Sequence, residues 1–383
     1  MKITKMESFF VAPRWHFLKV STDEGIVGWG EPIVESRART VAEACRELGR
    51  FLIGQDPLRI EYLYNVMYKN SFYRGGPVLS SAISGIEQAL WDIKGKYYNM
   101  PVYEMLGGRV RDKIRMYAHA GGSTPEEWAA SVKDRADRGF TAIKTGFSEK
   151  DMVSVLRSHA YFEACAEKMA AARAVAPQME IAVDLHGQHN PYASIQVIEA
   201  IAPYHPMFVE EPATPENMSI IAEVARKTSV PIAAGERLFT RFGFREAFET
   251  HAIAVAQPDL CHCGGILECK KIAAMAETYF IQVAPHNPLG PISLAACLQV
   301  DACSYNAFIQ EQSMGIHYNE FHGPLDYIRN PETYAFVDGH VEIPKLPGLG
   351  VEVNRDLVLE ENRTPHAWKN PVWRHRDGSV AEW

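Results

Sequence analysis

The chain has 383 residues, of which 47% are hydrophobic and 22% are charged, the balance of a soluble globular protein with a sizeable core. Its formal net charge of −8 gives no basic excess for binding nucleic acid. The sequence has no apolar run of about 18 residues that could span a membrane and no apolar signal region at its start. Seven cysteines, an odd number in a long chain, do not indicate a secreted disulfide framework. These features predict a soluble cytoplasmic protein.

The first part of the chain, residues 1–112, mixes strand-like and helical patterns and predicts an α+β domain. Two strand-like runs precede two helical patterns, at residues 17–20, 26–29, 39–52 and about 80–96. A turn-rich segment, Tyr73–Pro77, comes directly before the second helix.

From Lys113 onward, short apolar runs alternate with amphipathic helical stretches. The eight runs lie at residues 114–118, 142–144, 181–184, 207–210, 231–234, 253–256, 281–284 and 307–310. Continuous apolar strands between helices indicate a parallel sheet buried on both faces, and eight such strands close into a barrel. Since seven helices separate the strands, the pattern predicts a (β/α)7β TIM-like barrel over residues 113–325.

The last segment, residues 326–383, is rich in proline and tryptophan towards its end, with tryptophans at 368, 373 and 383. We expect this segment to pack back on the N-terminal α+β domain. The whole chain is therefore predicted to be a barrel with a capping domain that the C-terminal segment completes.

A polar residue stands at or just after the end of seven of the predicted strands. These residues are Lys144, Asp184, Glu210, Glu236, Asp259, His286 and Glu311. From Asp184 onward, they are separated by 23–27 residues, about one strand–helix unit each. In a TIM barrel, the carboxyl ends of the strands meet at the face that carries the active site. The spacing therefore predicts that these groups surround one barrel mouth.

Three carboxylates end consecutive strands: Asp184, Glu210 and Glu236. Three like charges at such short range must be neutralised, or their pKa values rise. Hard oxygen ligands from three strands suit Mg²⁺, which keeps open positions for substrate and water. We take Glu210 as the ligand because it is in phase with the strand, whereas Glu211 must point to the opposite face.

Two histidines are predicted at the same mouth. His186 lies two residues after Asp184, and it shares that residue's face if the strand continues. His286 follows the seventh strand, and Asp259 follows the neighbouring sixth strand. A carboxylate that holds a histidine fixes its tautomer and raises its basicity, as a general base requires. A buried structural His–Asp pair is the competing interpretation of His286 and Asp259.

This layout suits the removal of a proton next to a metal-bound carboxylate, with the metal stabilising the enediolate. His286 would take the proton, and His186 would protonate a hydroxyl that leaves from the next carbon. The net reaction would be the loss of water from a hydroxy acid. Glu311 could donate a hydrogen bond to the enediolate if it is protonated, or it could position the substrate; a rim salt bridge is its structural alternative.

Several segments make the chain resemble a known family over nearly its full length. The most specific short ones are Glu210–Pro212, Ala234–Arg237 and Gln257–Asp259. Longer ones lie at residues 20–31, 72–77, 89–96, 284–291, 310–318 and 373–383. With these segments the chain resembles the enolase superfamily, mandelate racemase subgroup, and within it the galactonate dehydratase subfamily.

The resemblance implies a (β/α)7β barrel, a capping α+β domain, a symmetric homo-oligomer and one Mg²⁺ in each active site. It implies the same roles as the residue pattern: Asp184, Glu210 and Glu236 as Mg²⁺ ligands, His186 as proton donor to the 3-hydroxyl, His286 as base at C2, Asp259 as its partner and Glu311 as enolate-stabilising acid. The implied substrate is a small sugar acid, D-galactonate, and the implied lid segments are Pro13–Trp15 and Tyr73–Gly76.

One departure from the subgroup bears on the reaction. Its racemases carry Lys-x-Lys after the second strand, and the second lysine is the base on the face opposite the histidine. Here the sequence is Lys144-Thr-Gly146. Without the second base, dehydration is favoured over racemisation. Gly146 and Gln188 also differ from the galactonate dehydratases at positions that border the pocket.

Three alternatives stay open from the sequence. The first is dehydration of another aldonate, with C2 or C3 inverted. The second is a thiolate-metal binding protein, suggested by Cys261, Cys263 and Cys269, although zinc sites prefer four well-separated ligands. The third is a non-catalytic scaffold, which the retention of every predicted ligand and base disfavours.

Overall fold

The computed structural model describes residues 1–147, 159–313, 324–366, 368–375 and 377–382. In these ranges, none of the helices combines the length and the apolar character that crossing a membrane requires. Part of the predicted 310–318 motif, Trp383 and two further tail residues lie outside the described residues.

The N-terminal part is an antiparallel sheet covered by helices. The strands are β1 (Ile3–Val11), β2 (Trp15–Thr22) and β3 (Val27–Gly30), and the helices are α1 (Ala38–Leu52), α2 (Ile60–Lys69), α3 (Pro77–Tyr98) and α4 (Val102–Met105). Most of α3 is buried. Strand β3 lies so close to α3 that a Cβ atom at Gly28 or Gly30 would overlap a helix carbonyl oxygen, of Ala89 or Gly85 respectively.

Eight parallel strands follow, separated by seven helices of the described chain. The strands are β4 (Lys113–His119), β5 (Ala142–Gly146), β6 (Glu180–Asp184), β7 (Phe208–Glu210), β8 (Ile232–Ala234), β9 (Val255–Ala256), β10 (Gln282–Val283) and β11 (Gln310–Glu311). The helices are α5 (Pro125–Asp137), α6 (His159–Val175), α7 (Pro191–Ile201), α8 (Met218–Arg226), α9 (Thr240–Glu249), α10 (Ile266–Thr278) and α11 (Pro291–Cys303). Strands β4 to β10 pair in chain order.

The eighth strand closes the barrel. The Val283 N–H donates to Asn306 O at 2.9 Å, and the Phe308 N–H donates to Val283 O at 3.1 Å. On its other side, β11 pairs in parallel with β4. The prediction of a (β/α)7β barrel is therefore confirmed.

Inward-pointing residues fill the barrel with one apolar cluster. It takes one residue from each strand or its continuation: Tyr117, Ala142, Ala182, Phe208, Ala233, Val255, Ala284 and Ile309. Because side chains alternate along a strand, the residue two positions later points inward again, nearer the carboxyl end. On seven strands this next residue is polar: His119, Lys144, Asp184, Glu210, Gln257, His286 and Glu311. We call these seven residues the polar ring.

The C-terminal segment contacts both parts of the chain. It forms β12 (Phe336–Val337), β13 (His340–Glu342) and α12 (Arg355–Glu361), and β13 pairs antiparallel with the start of β4. The Phe10 N–H donates to Asn362 Oδ1 at 2.8 Å, and the Tyr327 hydroxyl donates to Ala12 O at 2.8 Å. The division of the chain after residues 112 and 325 stays a prediction; these contacts support packing of the tail on the capping domain.

Candidate active site

The side chain of Lys144 lies among three carboxylates of the barrel mouth. Its Nζ is 2.9 Å from Glu210 Oε1, 3.0 Å from Glu311 Oε1 and 3.2 Å from Asp184 Oδ2. Burial by itself lowers the pKa of Lys144, but the three carboxylates outweigh it and hold that pKa well above its usual value. The lysine therefore stays charged and compensates part of the negative charge of the site.

His286 is held between two carboxylates. Its Nδ1 lies 2.8 Å from Asp259 Oδ2, and its Nε2 lies 2.9 Å from Glu236 Oε2. Burial opposes the charged form, but Glu236, Glu311 and the Asp259 hydrogen bond raise the pKa of His286 well above its usual value. Asp259 is itself fixed, since its Oδ1 accepts from the Cys261 N–H at 2.6 Å. The predicted pair thus lies beside a predicted metal ligand, not in an isolated core position.

His186 reaches the site through a turn rather than through a longer strand. Strand β6 ends at Asp184, and His186 has a left-handed backbone with φ of 50°. Its N–H donates to Asp184 Oδ1 at 2.8 Å, and its Nε2 lies 3.3 Å from Asp184 Oδ2. The ring is about one-third exposed, so it borders the open side of the mouth.

Two consecutive glutamates, the last residue of β7 and the residue after it, point in different directions, as the alternation predicts. Glu210 faces the barrel interior, and burial together with Asp184 raises its pKa to about 8. Glu211 instead accepts two hydrogen bonds from Arg237, at 2.9 and 2.6 Å. Glu210 is therefore available to the site, whereas Glu211 is committed to an ion pair.

Glu311 is surrounded by donors and cationic groups. Its Oε2 accepts from the Asn287 N–H at 2.8 Å, and His119 Nε2 lies 2.9 Å from its Oε1. Burial raises the pKa of Glu311, but Lys144 and His286 outweigh it, and the net effect is a lowered pKa. The lowered pKa favours the carboxylate form of Glu311 in this arrangement, and its role as enolate-stabilising acid stays a prediction.

The site has the features of a metal site. Ligand atoms of Glu210, Glu236 and His286 all lie within 4.8 Å of one another. Glu210 Oε2 is buried and has no hydrogen-bond partner among the described residues. A buried carboxylate oxygen without a partner is costly, and a cation would satisfy it. Asp184, the third predicted ligand, lies outside this group of three. Like Glu210, it forms an ion pair with Lys144.

The cysteines do not form a comparable site. All seven are free and buried. Burial raises the pKa values of Cys261 and Cys263 well above the usual value, which disfavours the thiolates that bind zinc. Within the described ranges, the metal-capable group contains carboxylates and a histidine but none of these thiols. The geometry therefore gives no support to the thiolate-metal alternative.

Sequence reasoning missed two members of the polar ring, His119 and Gln257. Gln257 is fully buried, and neither its Oε1 nor its Nε2 has a hydrogen-bond partner among the described residues. His119 reaches Glu311 from the neighbouring strand. Both stand two positions after an inward apolar residue, so the two-residue period within each strand was the signal that could have found them.

The two predicted lid segments differ in their surroundings. Arg14 and Trp15 are buried, and Arg14 Nη2 donates to Pro288 O at 2.8 Å, close to His286 in the sequence. Tyr73 is 81% exposed and is followed by two glycines with positive φ. The first segment is therefore part of the contact with the barrel, and the second has room to move.

Comparison with known proteins gives close matches over the whole chain. "D-galactonate dehydratase" of Ralstonia nicotianae is 50% identical over 384 residues, covering 100% of both chains, and that of Pectobacterium atrosepticum is 50% identical over 385 residues with the same coverage. Among solved structures, a putative galactarate dehydratase from Agrobacterium radiobacter, with Na and L-malate bound, is 34% identical, covers 100% of both chains and has a TM-score of 0.92. A putative dehydratase from Mesorhizobium loti is 36% identical, with a TM-score of 0.88, covering 94% of this chain and 98% of the other.

Two family descriptions cover most of the sequence. Residues 10–107 match "Mandelate racemase / muconate lactonizing enzyme, N-terminal domain", and residues 127–357 match "Enolase C-terminal domain-like". The second match contains every residue of the polar ring except His119, together with His186, Glu236 and Asp259. The chain belongs to the mandelate racemase and muconate lactonizing enzyme family of the enolase superfamily.

Proposed function

We propose that the protein is a Mg²⁺-dependent hydro-lyase that converts D-galactonate into 2-dehydro-3-deoxy-D-galactonate and water. The observation that carries the proposal is the His286–Asp259 pair, whose imidazole lies 2.9 Å from Glu236 in a mouth lined with carboxylates. The full-length identity of 50% to D-galactonate dehydratases supports the substrate. The proposed location is the cytoplasm, and the proposed assembly is a homo-oligomer.

Asp184, Glu210 and Glu236 are the proposed ligands of a single Mg²⁺. Their oxygens are the hard ligands that this ion prefers, and Lys144 balances the charge that remains. When bound, the ion supplies Lewis-acid stabilisation of the charge that develops on the substrate carboxylate as C2 loses its proton. All other steps belong to side chains of the chain itself.

His286 is the proposed base that takes the C2 proton. Asp259 fixes its orientation by binding Nδ1, so that Nε2 faces the mouth. Glu236 contributes to the raised pKa of His286. A cation bound to Glu236 would weaken that contribution and so favour the neutral imidazole that a base requires. The next residue, Asn287, is held by the hydrogen bond that its N–H donates to Glu311.

His186 is the proposed acid that completes the reaction. As the C3–O bond breaks, its proton converts the leaving 3-hydroxyl to water, and the enol that remains becomes the 2-keto product by taking up a proton at C3. Partial exposure of the ring allows it to exchange that proton with solvent. Racemisation would need a base at the position of Gly146, which has no side chain, and Lys144 is occupied by three carboxylates.

The division of labour between the histidines is tested by deuterium exchange in heavy water with D-galactonate and Mg²⁺. His286→Asn should abolish both C2 exchange and turnover, whereas His186→Asn should block water loss yet leave slow C2 exchange. His251→Asn is the matched control, because His251 is exposed and has a left-handed backbone that asparagine tolerates. Turnover by His286→Asn would refute the base assignment, and the absence of exchange in His186→Asn would count against its role.

A second candidate is the dehydration of another aldonate. The resemblance implies that Gly146 and Gln188 depart from the galactonate dehydratases at positions near the pocket, and these departures favour the second candidate. A panel of C5 and C6 aldonates, compared by kcat/KM, decides between the two. The galactonate proposal fails if another acid is dehydrated clearly more efficiently.

A further inference from the structure

The proposed base stands at the start of a short irregular segment, His286–Gly290, between β10 and α11. From the barrel side, this segment is held by Asp259, which binds the His286 ring, and by Glu311, which accepts from the Asn287 N–H. Among the described residues, no barrel-strand side chain is hydrogen-bonded to the other end of the segment. Its position is therefore determined by what holds Pro288, Leu289 and Gly290.

A buried carboxylate of the capping domain binds the far end of this segment. Glu31, which follows β3, accepts from the Gly290 N–H at 2.7 Å and from the Ser293 N–H at 2.9 Å. These are N–H groups at the start of α11, which have no partner inside the helix. A Cβ atom at position 290 would lie 2.5 Å from Glu31 Oε1, so this close approach requires glycine.

Two further contacts from the capping domain reach the same segment. Arg14 Nη2 donates to Pro288 O at 2.8 Å, and Ile33 packs in a small apolar cluster with Leu289 and Cys261. The last three residues of the segment thus each contact the N-terminal part of the chain. From the barrel, Cys261 packs against Leu289, whereas the barrel side-chain hydrogen bonds described here reach only His286 and Asn287.

Glu31 is itself held in a fixed position. It is fully buried, and its N–H donates to Gln88 Oε1 at 2.8 Å. Gln88 lies on α3 and donates from Nε2 to Leu260 O at 2.9 Å, next to Asp259. The carboxylate therefore connects the sheet and the long helix of the capping domain to the start of α11.

We propose that Glu31 is a positioning residue for the active site: by binding the start of α11 from the capping domain, it fixes the His286–Gly290 segment and hence the place of the His286 imidazole. Glu31 acts through His286 and does not touch substrate. The catalytic consequence rests on the proposed function, since it requires His286 to be the base. A displacement of about 1 Å at a reacting group can cost about 100-fold in rate, so a distant helix contact can matter this much.

The chain offers a matched control in Glu87. This residue is also a buried carboxylate of the capping domain, and it binds the start of α10 by accepting from the Ile266 and Leu267 N–H groups at 2.7 and 2.9 Å. The helix that Glu87 binds does not follow the base, and Glu87 also accepts from the Trp91 Nε1–H at 2.7 Å. Loss of either the Glu31 or the Glu87 carboxylate should destabilise the interface between the capping domain and the barrel. Only the loss of Glu31 should move His286.

The test compares Glu31→Gln, Glu31→Ala and Glu87→Gln in the full-length Mg²⁺-loaded protein. Glu31→Ala should lower kcat and the rate of C2 deuterium exchange about 100-fold, with KM changed by less than about twofold. Glu31→Gln keeps one acceptor oxygen and should lose only about tenfold in kcat, a partial rescue. Glu87→Gln should keep kcat within about twofold although its melting temperature falls as far as that of Glu31→Gln.

A second measurement does not depend on turnover. In protein with ¹⁵N-labelled histidine, the ring resonances of His286, identified by their loss in His286→Asn, should shift in Glu31→Gln and stay in place in Glu87→Gln. Equal loss of kcat in Glu31→Gln and Glu87→Gln, or unchanged His286 resonances in Glu31→Gln, would overturn the proposal. A wild-type protein that dehydrates no sugar acid would instead refute the proposed function, and the resonances would still test the positioning role.

Discussion

Asp301 gives a prediction that can be worked through quantitatively. It lies in α11, is 1% exposed, and neither carboxylate oxygen has a hydrogen-bond partner among the described residues. Burial raises its pKa to about 8, and the charge of Arg111 opposes this shift only in part. The folded protein therefore prefers the protonated acid, whereas the unfolded chain ionises it near its usual value.

The sign and size of the effect follow from proton linkage. The pKa of Asp301 is raised in the folded state, so its favourable contribution is complete below the unfolded pKa of about 4 and is lost as the pH rises to about 8. The loss is about 1.4 kcal/mol for each pH unit in this window. Between pH 5 and pH 8, Asp301 should therefore reduce the free energy of unfolding by about 4 kcal/mol.

The assay is urea unfolding of wild type and Asp301→Asn at pH 5 and pH 8. The asparagine variant cannot ionise, so the change in its free energy of unfolding between the two pH values should be smaller than that of wild type by about 4 kcal/mol. Asp112→Asn is the control, because the side chain of Asp112 is 88% exposed. Burial also raises the pKa values of Glu31 and Glu87, but their contribution is common to all three proteins. Equal pH dependence of wild type and Asp301→Asn would refute the reasoning.

Three further predictions concern the proposed chemistry and the barrel helices. Asp259→Asn should lower kcat about 10³-fold and alter the pH profile of kcat/KM, because the imidazole loses its orienting carboxylate; an unchanged profile would contradict this. Removal of divalent cations by a chelator should abolish dehydration, and Mg²⁺ should restore it, whereas activity that persists in the chelator would argue against the metal. Thr124→Ala should lower the free energy of unfolding by about 1 kcal/mol, since Thr124 and Glu127 form a capping box at the start of α5, and chemical denaturation measures this loss.

The strands were predictable because a parallel strand that is buried on both faces must be apolar throughout. The runs at 181–184 and 207–210 became β6 and β7 almost unchanged, each with a carboxylate at its end. Other strands are shorter than their apolar runs. Residues 253–256 give only Val255–Ala256 as regular strand, because ladder pairing, and not hydrophobicity, sets where a strand begins.

Part of the site could not be predicted from local patterns. The alternation of side chains placed Glu210 inside the barrel, and the structure agrees. The left-handed turn that returns His186 to Asp184 has no strand periodicity to indicate it. The position of Lys144 between carboxylates from three other strands depends on barrel closure, which brings β5 near β11 although 163 residues separate Gly146 from Gln310 in the chain.

The sequence by itself determined the number and order of the barrel strands, and which of their ends carry ionisable groups. Both depend on patterns only a few residues long, which burial and side-chain alternation impose on any chain. Only the tertiary structure decided which charged side chains neutralise one another and which helix start binds the Glu31 carboxylate. Such contacts join residues that are far apart in the chain, Glu31 and Gly290 at 259 positions among them, and their geometry exists only after the barrel has closed and the capping domain has packed on it.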